Sequence, residues 1–213
     1  MAKGTPTWTP DIQMLKAIEL AFIKHGDDSR KIRQEPYIGH LFGVASLVIE
    51  YGGSKEQATA AFLHDLLEDV PMKRETLEEQ FGKDIADMVM GCTDATYEEK
   101  KEEKAIKDED ERKAAFRARK QRYIDSLRKK SIDDPSVLIA LADKVNNGEK
   151  SARDLKEDPN LFDNFNADKE VQRWWYTELV KAFNTGNKFT DHQKVLLRRF
   201  EEAVEVMVRH IDK

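Results

Sequence analysis

One apolar stretch that carries four ionisable side chains most constrains how this chain can fold. Residues 60–71 read AAFLHDLLEDVP, so apolar side chains and alanines surround His64, Asp65, Glu68 and Asp69. Burying a histidine and three carboxylates on one helix is unfavourable unless something compensates their charge. A bound divalent metal ion is the simplest compensation, and the alternative is a half-exposed amphipathic helix with a polar stripe.

Helical signals extend along most of the chain and predict an all-α fold. Ser54 and Gln57 have the spacing of a capping box and Pro71 is a stop signal, so we expect one helix over residues 54–70. A second informative helix is expected to start near Asp134 and to end at Gly148. No convincing strand pattern is present. We expect a single domain, residues 1–213, of about eight to ten helices, with a core over about 12–185 and a C-terminal packing helix over 190–211.

Composition excludes several classes of function. Charged residues make up 36% of the chain and hydrophobic residues 39%, and the formal net charge is −5, which argues against general affinity for nucleic acid. The only cysteine, Cys92, excludes an internal disulfide and is typical of a reducing compartment. No apolar run reaches the roughly 20 residues needed to span a bilayer, so we expect a cytoplasmic protein without membrane contact. The apolar last helix fits a dimer interface or a packed monomer, which leaves the oligomeric state open.

Four residues of metal-ligand type fall in predicted buried helices: His40, His64, Asp65 and Asp143. Two imidazoles and two carboxylates suit Mn²⁺, Fe²⁺, Co²⁺ or Zn²⁺ better than Ca²⁺ or Mg²⁺. Glu68 and Asp69, one helical turn further on, are then candidates to orient or deprotonate water or to protonate a leaving group. Other interpretations stay open for single residues, since His40 alone fits a satisfied core histidine and Asp143 alone fits a salt bridge with Lys144.

Seven segments carry a specific combination of motifs in chain order. They are RK at 30–31, EPYIGH at 35–40, AAFLHDLLEDV at 60–70, FGKDIADMVMGCTDAT at 81–96, RARKQRYI at 117–124, LADKVNN at 141–147 and RWWYTELVKAF at 173–183. This combination, over roughly residues 12–185, resembles the HD superfamily of metal-dependent phosphohydrolases, whose signature is H…HD…D. Within that superfamily it is most similar to the small stand-alone members of the RelA/SpoT-type alarmone hydrolases.

The resemblance implies an Mn²⁺-dependent 3′-pyrophosphohydrolase of the stringent response, acting on the nucleotide guanosine 3′,5′-bis(diphosphate) and on its pentaphosphate form. It implies an HD-domain bundle in which the metal ligands are His40, His64, Asp65 and Asp143 and the catalytic residues are Glu68 and Asp69. It also implies a set of substrate-binding residues, namely Arg30, Lys31, Tyr37, Lys144 and Asn147, with further positive charge from Arg117, Arg119 and Lys120. Because no segment corresponds to a synthetase domain, we expect hydrolysis without synthesis.

The sequence departs from the family pattern at three places, and the departures at Asn146 and in the loop after Lys31 bear on the substrate contacts more than on the metal. Asn146 stands where the family usually has a histidine. The loop after Lys31 is one residue longer, so Arg33 competes with Arg30 or Lys31 for the phosphates. The residue after Asp69 is a valine and lacks the family's hydroxyl group.

Other functions compete with alarmone hydrolysis. The same site fits a 5′-nucleotidase or a 2′-phosphatase acting on NADPH. A non-enzymatic sensor of metal or nucleotide and a purely structural bundle are the remaining alternatives. The highly charged residues 97–113 are expected to form a solvated helix or a mobile loop, and their place between site-bearing helices also allows a lid.

Overall fold

The chain folds into helices, which confirms the all-α prediction. The computed structural model describes residues 6–30, 33–158, 160–161 and 169–212. Within these residues the extended structure is limited to an isolated pairing of Ser29 with Pro36. The helical segments of the described residues are α1 Ile12–His25, α2 Ile38–Glu50, α3 Lys55–Leu63, α4 Leu66–Asp69, α5 Arg74–Phe81, α6 Lys83–Cys92, α7 Tyr97–Ala105, α8 Glu109–Lys129, α9 Ser136–Glu157, α10 Lys169–Asn184 and α11 Asp191–Ile211.

The expected single helix over residues 54–70 is interrupted, so that prediction was wrong in its continuity. The capping box of Ser54 and Gln57 starts α3 as expected, but α3 ends at Leu63 and α4 is one turn. The His64 Nδ1 atom lies 2.8 Å from the Ala61 carbonyl oxygen. In an uninterrupted helix this oxygen would accept the backbone N–H of Asp65. A side chain thus takes the place of a backbone donor, and the chain turns at the two residues that carry the HD motif.

The second informative helix also differs from its prediction, because α9 continues nine residues past Gly148 to Glu157. A side chain at this glycine would stand 3.5 Å from both Phe200 and Ala203 of α11, at ordinary contact distance. α9 packs against α2, α3, α6 and α11. This packing outweighs the weak helix-ending tendency of one glycine.

A contiguous apolar core occupies the centre of the bundle and receives side chains from all of the helices except α7. Among the described residues, α7 contributes no buried side chain. A capping box starts α7, in which the Thr96 hydroxyl accepts the Glu99 N–H and the Glu99 carboxylate accepts the Thr96 N–H. The charged segment 97–113 therefore contains an ordered helix on the surface of the bundle. No helix within the described part of the chain is both long and apolar enough to cross a bilayer.

Candidate active site

Four side chains of metal-ligand type converge where α2, α9 and the junction of α3 with α4 meet; we call His40, His64, Asp65 and Asp143 the ligand cluster. One ligand atom each from His40, His64 and Asp65 lies within 4.8 Å of the other two. Asp65 Oδ2 is 3.0 Å from His64 Nε2 and 3.4 Å from His40 Nε2. Asp143 Oδ1 is 3.3 Å from His40 Nε2. The structure brings together all four residues that the sequence predicted as ligands.

Hydrogen bonds orient both imidazole rings so that Nε2 points to the centre of the cluster. His64 Nδ1 donates to the Ala61 carbonyl, and His40 Nδ1 donates to Asn146 Oδ1 at 2.8 Å. Since Nδ1 carries the proton in each neutral ring, Nε2 keeps a lone pair for a ligand. His64 Nε2 is buried and makes no hydrogen bond among the described residues, although Asp65 Oδ2 lies 3.0 Å away. Such an orphaned buried nitrogen is satisfied by a bound metal ion.

The two carboxylates of the cluster are also held in place by neighbouring side chains. The Tyr37 hydroxyl donates to Asp65 Oδ2 at 2.5 Å. Lys144 Nζ donates to Asp143 Oδ2 and Asn147 Nδ2 to Asp143 Oδ1, each at 2.5 Å. These contacts leave oxygen lone pairs free on both carboxylates, because a carboxylate accepts about four hydrogen bonds.

The electrostatics of the cluster favour a positive charge at its centre. Burial lowers the pKa of His40 and of His64, but the two neighbouring carboxylates outweigh it and the net shift of each pKa is upward. Burial raises the pKa of Asp65 and of Asp143, yet neighbouring cations hold both well below the usual range: the imidazoles for Asp65, and Lys144 followed by the imidazoles for Asp143. A buried group of two imidazoles and two carboxylates with this preference fits a divalent transition-metal ion.

An acidic pair, Glu68 and Asp69, follows the ligand cluster on α4. Lys100 Nζ from α7 lies 2.8 Å from Glu68 Oε2 and 3.0 Å from Asp69 Oδ1. The other Glu68 oxygen accepts the Asp94 N–H at 2.7 Å. Burial raises the pKa of the Glu68 carboxyl, and the Lys100 ammonium acts against this rise. Glu68 is therefore fixed by two donors and has a pKa above its ordinary value, as suits a carboxylate that acts as a base.

Ion pairs hold α7 and α8 beside the acidic pair; we call Lys100 and Glu103 of α7 together with Arg119 and Lys120 of α8 the charge-paired wall. Arg119 Nε donates to Glu103 at 2.7 Å and another of its nitrogens pairs with Asp94. Lys120 Nζ also donates to Asp94, at 2.5 Å. Arg119 is 7% exposed, so this contact is largely shielded from water. Asp94, whose N–H donates to Glu68, is thereby linked to α8 through Arg119 and Lys120, and to α7 through the pairing of Arg119 with Glu103.

Of the predicted substrate-binding residues, Tyr37, Lys144 and Asn147 line the cavity above the ligand cluster, and the three candidates for the phosphates are placed differently. Arg30 lines the cavity above the ligand cluster, and its guanidinium donates to Asn147 Oδ1 at 2.8 Å. Lys31 lies outside the described residues. Arg33 instead forms ion pairs with Asp154 at 3.0 Å and Glu157 at 2.5 Å near the end of α9, and it does not line that cavity.

One cavity of about 590 Å³ contains the ligand cluster and the acidic pair. Cations reach it from four elements: Arg30, Lys100, Lys120, Lys144 and Lys150. Phe116, Trp175 and Tyr176 give it an aromatic side. Trp175 is buried and also borders this cavity. The cavity thus offers metal ligands, an acidic pair, cations and aromatic rings to one anionic ligand.

The sequence interpretation missed the site roles of Asn146, Lys100 and Asp94. Asn146 follows Asp143 by three positions on α9, so a helical projection would have placed both on one face. Lys100 belongs to a segment with almost no apolar residue, and Asp94 precedes it in a connection between helices. Neither of these two residues carries a local signal, because their partners are brought to them by the tertiary fold.

Comparison with known proteins places the chain in a family. A sequence profile described as HD domain matches residues 17–168. The guanosine-3′,5′-bis(diphosphate) 3′-pyrophosphohydrolase MESH1 of Xenopus tropicalis is 30% identical over 184 residues, which cover 84% of this chain and 88% of that protein. The chain belongs to the HD-domain family, and its resemblance to RelA/SpoT-type hydrolases is confirmed.

Two further relatives define the extent of the similarity. A guanosine-3′,5′-bis(diphosphate) 3′-pyrophosphohydrolase of Haemophilus influenzae is 33% identical over 117 residues, and the match spans 53% of this chain but only 15% of that enzyme. Among solved structures, a metazoan orthologue of SpoT described as hydrolysing ppGpp superposes with a TM-score of 0.65 at 21% identity, covering 92% of this chain and 97% of that one. This superposition supports the fold.

Proposed function

We propose that the chain removes the 3′-pyrophosphate from guanosine 3′,5′-bis(diphosphate) and from its pentaphosphate form, giving GDP or GTP and pyrophosphate. The observation that carries the proposal is the convergence of the ligand cluster and the acidic pair in one cation-lined cavity. The similarity to a MESH1 hydrolase along 84% of the chain supports this choice of substrate.

The ligand cluster would hold one divalent ion, and we propose Mn²⁺. The orphaned Nε2 of His64 and the preference of the cluster for positive charge support a cation at this place. When bound, such an ion supplies Lewis-acid activation of phosphate and water. Nitrogen and oxygen ligands of this mixture suit Mn²⁺ together with its neighbours in the first transition row.

The cations of the cavity would bind and orient the phosphate groups. Arg30 is held by Asn147 and lies 6.0 Å from the Tyr37 ring centre, so its guanidinium is ordered before a ligand arrives. Lys144 is paired with Asp143 and reaches the same cavity from α9. Tyr37 acts on the reaction by positioning Asp65, to which its hydroxyl donates.

The acidic pair would move the two protons that the reaction requires. A water oxygen attacks the phosphorus next to the ribose 3′-oxygen, and the bond between that phosphorus and the 3′-oxygen breaks. Glu68, fixed by Lys100 and by the Asp94 N–H, takes a proton from the attacking water. The proton taken by Glu68 is passed to the departing 3′-oxygen through water held at the more exposed Asp69 carboxylate.

Incubation of the purified chain with Mn²⁺ and guanosine 3′,5′-bis(diphosphate) tests the proposal, with products separated by anion-exchange chromatography. We expect GDP and pyrophosphate in equal amounts, and no products in EDTA or with the Asp65→Asn variant, which controls for contaminating enzymes. Release of orthophosphate, or turnover only of NADPH or a 5′-nucleotide, would contradict the proposed substrate. Metal binding without turnover of any of these nucleotides would favour a binding protein.

A further inference from the structure

A second cavity lies beside the first and shares a wall with it. Its volume is about 910 Å³, and it is bounded mainly by α7 and the N-terminal half of α8. Six residues line both cavities: Glu68, Asp69, Lys100, Phe116, Lys120 and Val171. A ligand that reacts at the ligand cluster can therefore extend past the acidic pair into the second cavity.

Away from this shared wall, the second cavity carries an excess of cations. Its acidic groups already have partners, since Asp94 and Glu103 pair with Arg119, and Glu109 lies 2.7 Å from Lys113 Nζ. Three further cations, Lys104, Arg112 and Arg117, line the cavity and form no ion pair with any carboxylate in the described part of the chain. In a chain whose net charge is −5, such a local surplus favours an anionic ligand.

Arg112 and Arg117 both line the second cavity from α8. Both project from the side of α8 that also presents Phe116 and Lys120 to the cavity. The Arg117 guanidinium lies 4.5 Å from the centre of the Trp174 ring. A guanidinium ordered against an aromatic ring keeps its in-plane N–H donors available for a bidentate contact with phosphate.

We propose that the second cavity binds the diphosphate that is not cleaved, carried on the opposite side of the ribose from the scissile group. The inference deepens the proposed function and rests on it. The departing pyrophosphate contains the attacked phosphorus and so belongs at the ligand cluster, near Arg30 and Lys144. The second cavity begins only at the acidic pair and offers three cations that have no carboxylate partner among the described residues, enough for a separate diphosphate arm. The site thus selects nucleotides with phosphate arms at both the 3′ and the 5′ positions.

Calorimetric titration of the full chain in EDTA tests this assignment without any turnover. The probes are GDP, which has only the 5′ arm, and guanosine 3′-diphosphate, which has only the 3′ arm. We expect the Arg112→Gln/Arg117→Gln variant to bind GDP at least about tenfold more weakly than the parent chain, because two charge-assisted contacts are lost. We expect its affinity for guanosine 3′-diphosphate to change less than about twofold.

Two control variants keep the result specific. Arg122→Gln removes a charge from the same helix outside the cavity, at a side chain that is 65% exposed, and should bind GDP like the parent chain. Arg117→Lys keeps the charge but not the bidentate geometry and should lose less affinity than the double variant. Circular dichroism of each variant verifies that the helices are intact.

Several results would overturn the assignment. They are an absence of GDP binding by the parent chain, an unchanged GDP affinity in the double variant, and an equal loss of affinity for both probes. The last result would mean that the two arginines attract anions without distinguishing the arms. Failure of the proposed function is seen separately, as an absence of pyrophosphate release with Mn²⁺ while the selective loss of GDP binding persists.

Discussion

The ligand cluster and the charge-paired wall face the same cavity, but hydrogen bonds hold the imidazoles of the cluster and ion pairs hold the wall. The ligand cluster is built from core helices, and its imidazoles are fixed by one backbone carbonyl and one amide side chain. The wall depends on ion pairs between α7, α8 and the acidic pair, and α7 contributes no buried side chain among the described residues. Hydrogen bonds within a core change little with salt, whereas the more exposed ion pair of the wall, Lys100 with Asp69, is partly screened.

This difference separates what each region contributes to the proposed reaction. The cluster supplies a pre-formed set of ligand atoms whose positions do not depend on α7. The wall fixes the positions of Glu68 and Asp69 through Lys100 and opposes the rise of the Glu68 pKa, so its effect is graded. Substitutions in the cluster should therefore abolish metal binding. Substitutions in the wall should leave the metal bound and change the turnover rate and its pH dependence.

The largest effect is expected from Asp65→Asn, which tests the cluster directly. The amide keeps the shape of the side chain but removes the charge that attracts a cation, so metal binding and pyrophosphate release should be lost together. Metal content after dialysis against Mn²⁺ and the rate of product formation measure the two effects. Asp69→Asn, a matched change four residues later, should keep the metal. An Asp65→Asn protein with a full complement of metal would disprove the ligand assignment.

Glu68→Gln should separate metal binding from catalysis. The amide can still accept the Asp94 N–H but cannot take a proton, so turnover should fall about 10²- to 10⁴-fold, the usual range for a general acid–base group. The metal content should equal that of the parent chain. Single-turnover kinetics with saturating Mn²⁺ measure the chemical step. A turnover rate within twofold of the parent value would remove Glu68 from the proposed mechanism.

Asn146→Ala should weaken metal binding without abolishing it. Loss of the amide oxygen leaves the Nδ1 proton of His40 without its acceptor, and losing such a supporting partner lowers metal affinity about 10- to 100-fold. Titration of the metal-free protein with Mn²⁺ measures the dissociation constant. Asn146→Asp retains an acceptor oxygen and should recover part of the affinity. Equal affinity of Asn146→Ala and the parent chain would show that His40 needs no support from α9.

Lys100→Met should produce the smallest effect and a change of pH profile. Burial raises the pKa of Glu68 and Lys100 opposes that rise, so removing the ammonium should raise this pKa further. Because the ionised carboxylate is the active base, kcat/KM should begin to fall at a higher pH than in the parent chain as the solution is acidified. Above that range the rate should differ by about fivefold or less, as expected for one partly exposed ion pair.

The pH–rate profiles of Lys100→Met and Lys100→Arg test this prediction together. The arginine variant keeps the positive charge beside the acidic pair, so its acidic limb should stay near that of the parent chain. A limb that moves to lower pH in Lys100→Met would have the wrong sign and would exclude this role for the ammonium. A loss of bound metal in Lys100→Met would contradict the separation of the wall from the cluster.

The ligand cluster could be predicted from sequence because its signal is local and chemical. A histidine or an aspartate within an apolar helix stands out against its neighbours, and His64 with Asp65 does so in two consecutive positions. The all-α architecture follows from the periodicity of the apolar residues and from capping signals such as Ser54 with Gln57. These features depend on spacings of a few residues.

The parts that the sequence did not predict depend on contacts between distant segments. The end of α3 is set by a side chain that takes a backbone acceptor, which apolar periodicity does not record. Gly148 stays inside a helix because α11 packs against α9 there. Lys100 comes from a charged run in which many lysines look alike, and only the fold selects the one that meets Glu68. Ion pairs between residues far apart in the chain produce no periodic pattern in the sequence, so they cannot be predicted from it.

The turn between α3 and α4 lets two consecutive residues, His64 and Asp65, direct their ligand atoms to the same point. In an uninterrupted helix, consecutive side chains diverge by about 100° and do not share a ligand. Here His64 Nε2 and Asp65 Oδ2 approach to 3.0 Å, although one peptide bond joins their residues. Half of the four ligand groups therefore require no loop closure between them when a cation binds. Part of the entropic cost of assembling the site is met when the chain folds through this turn.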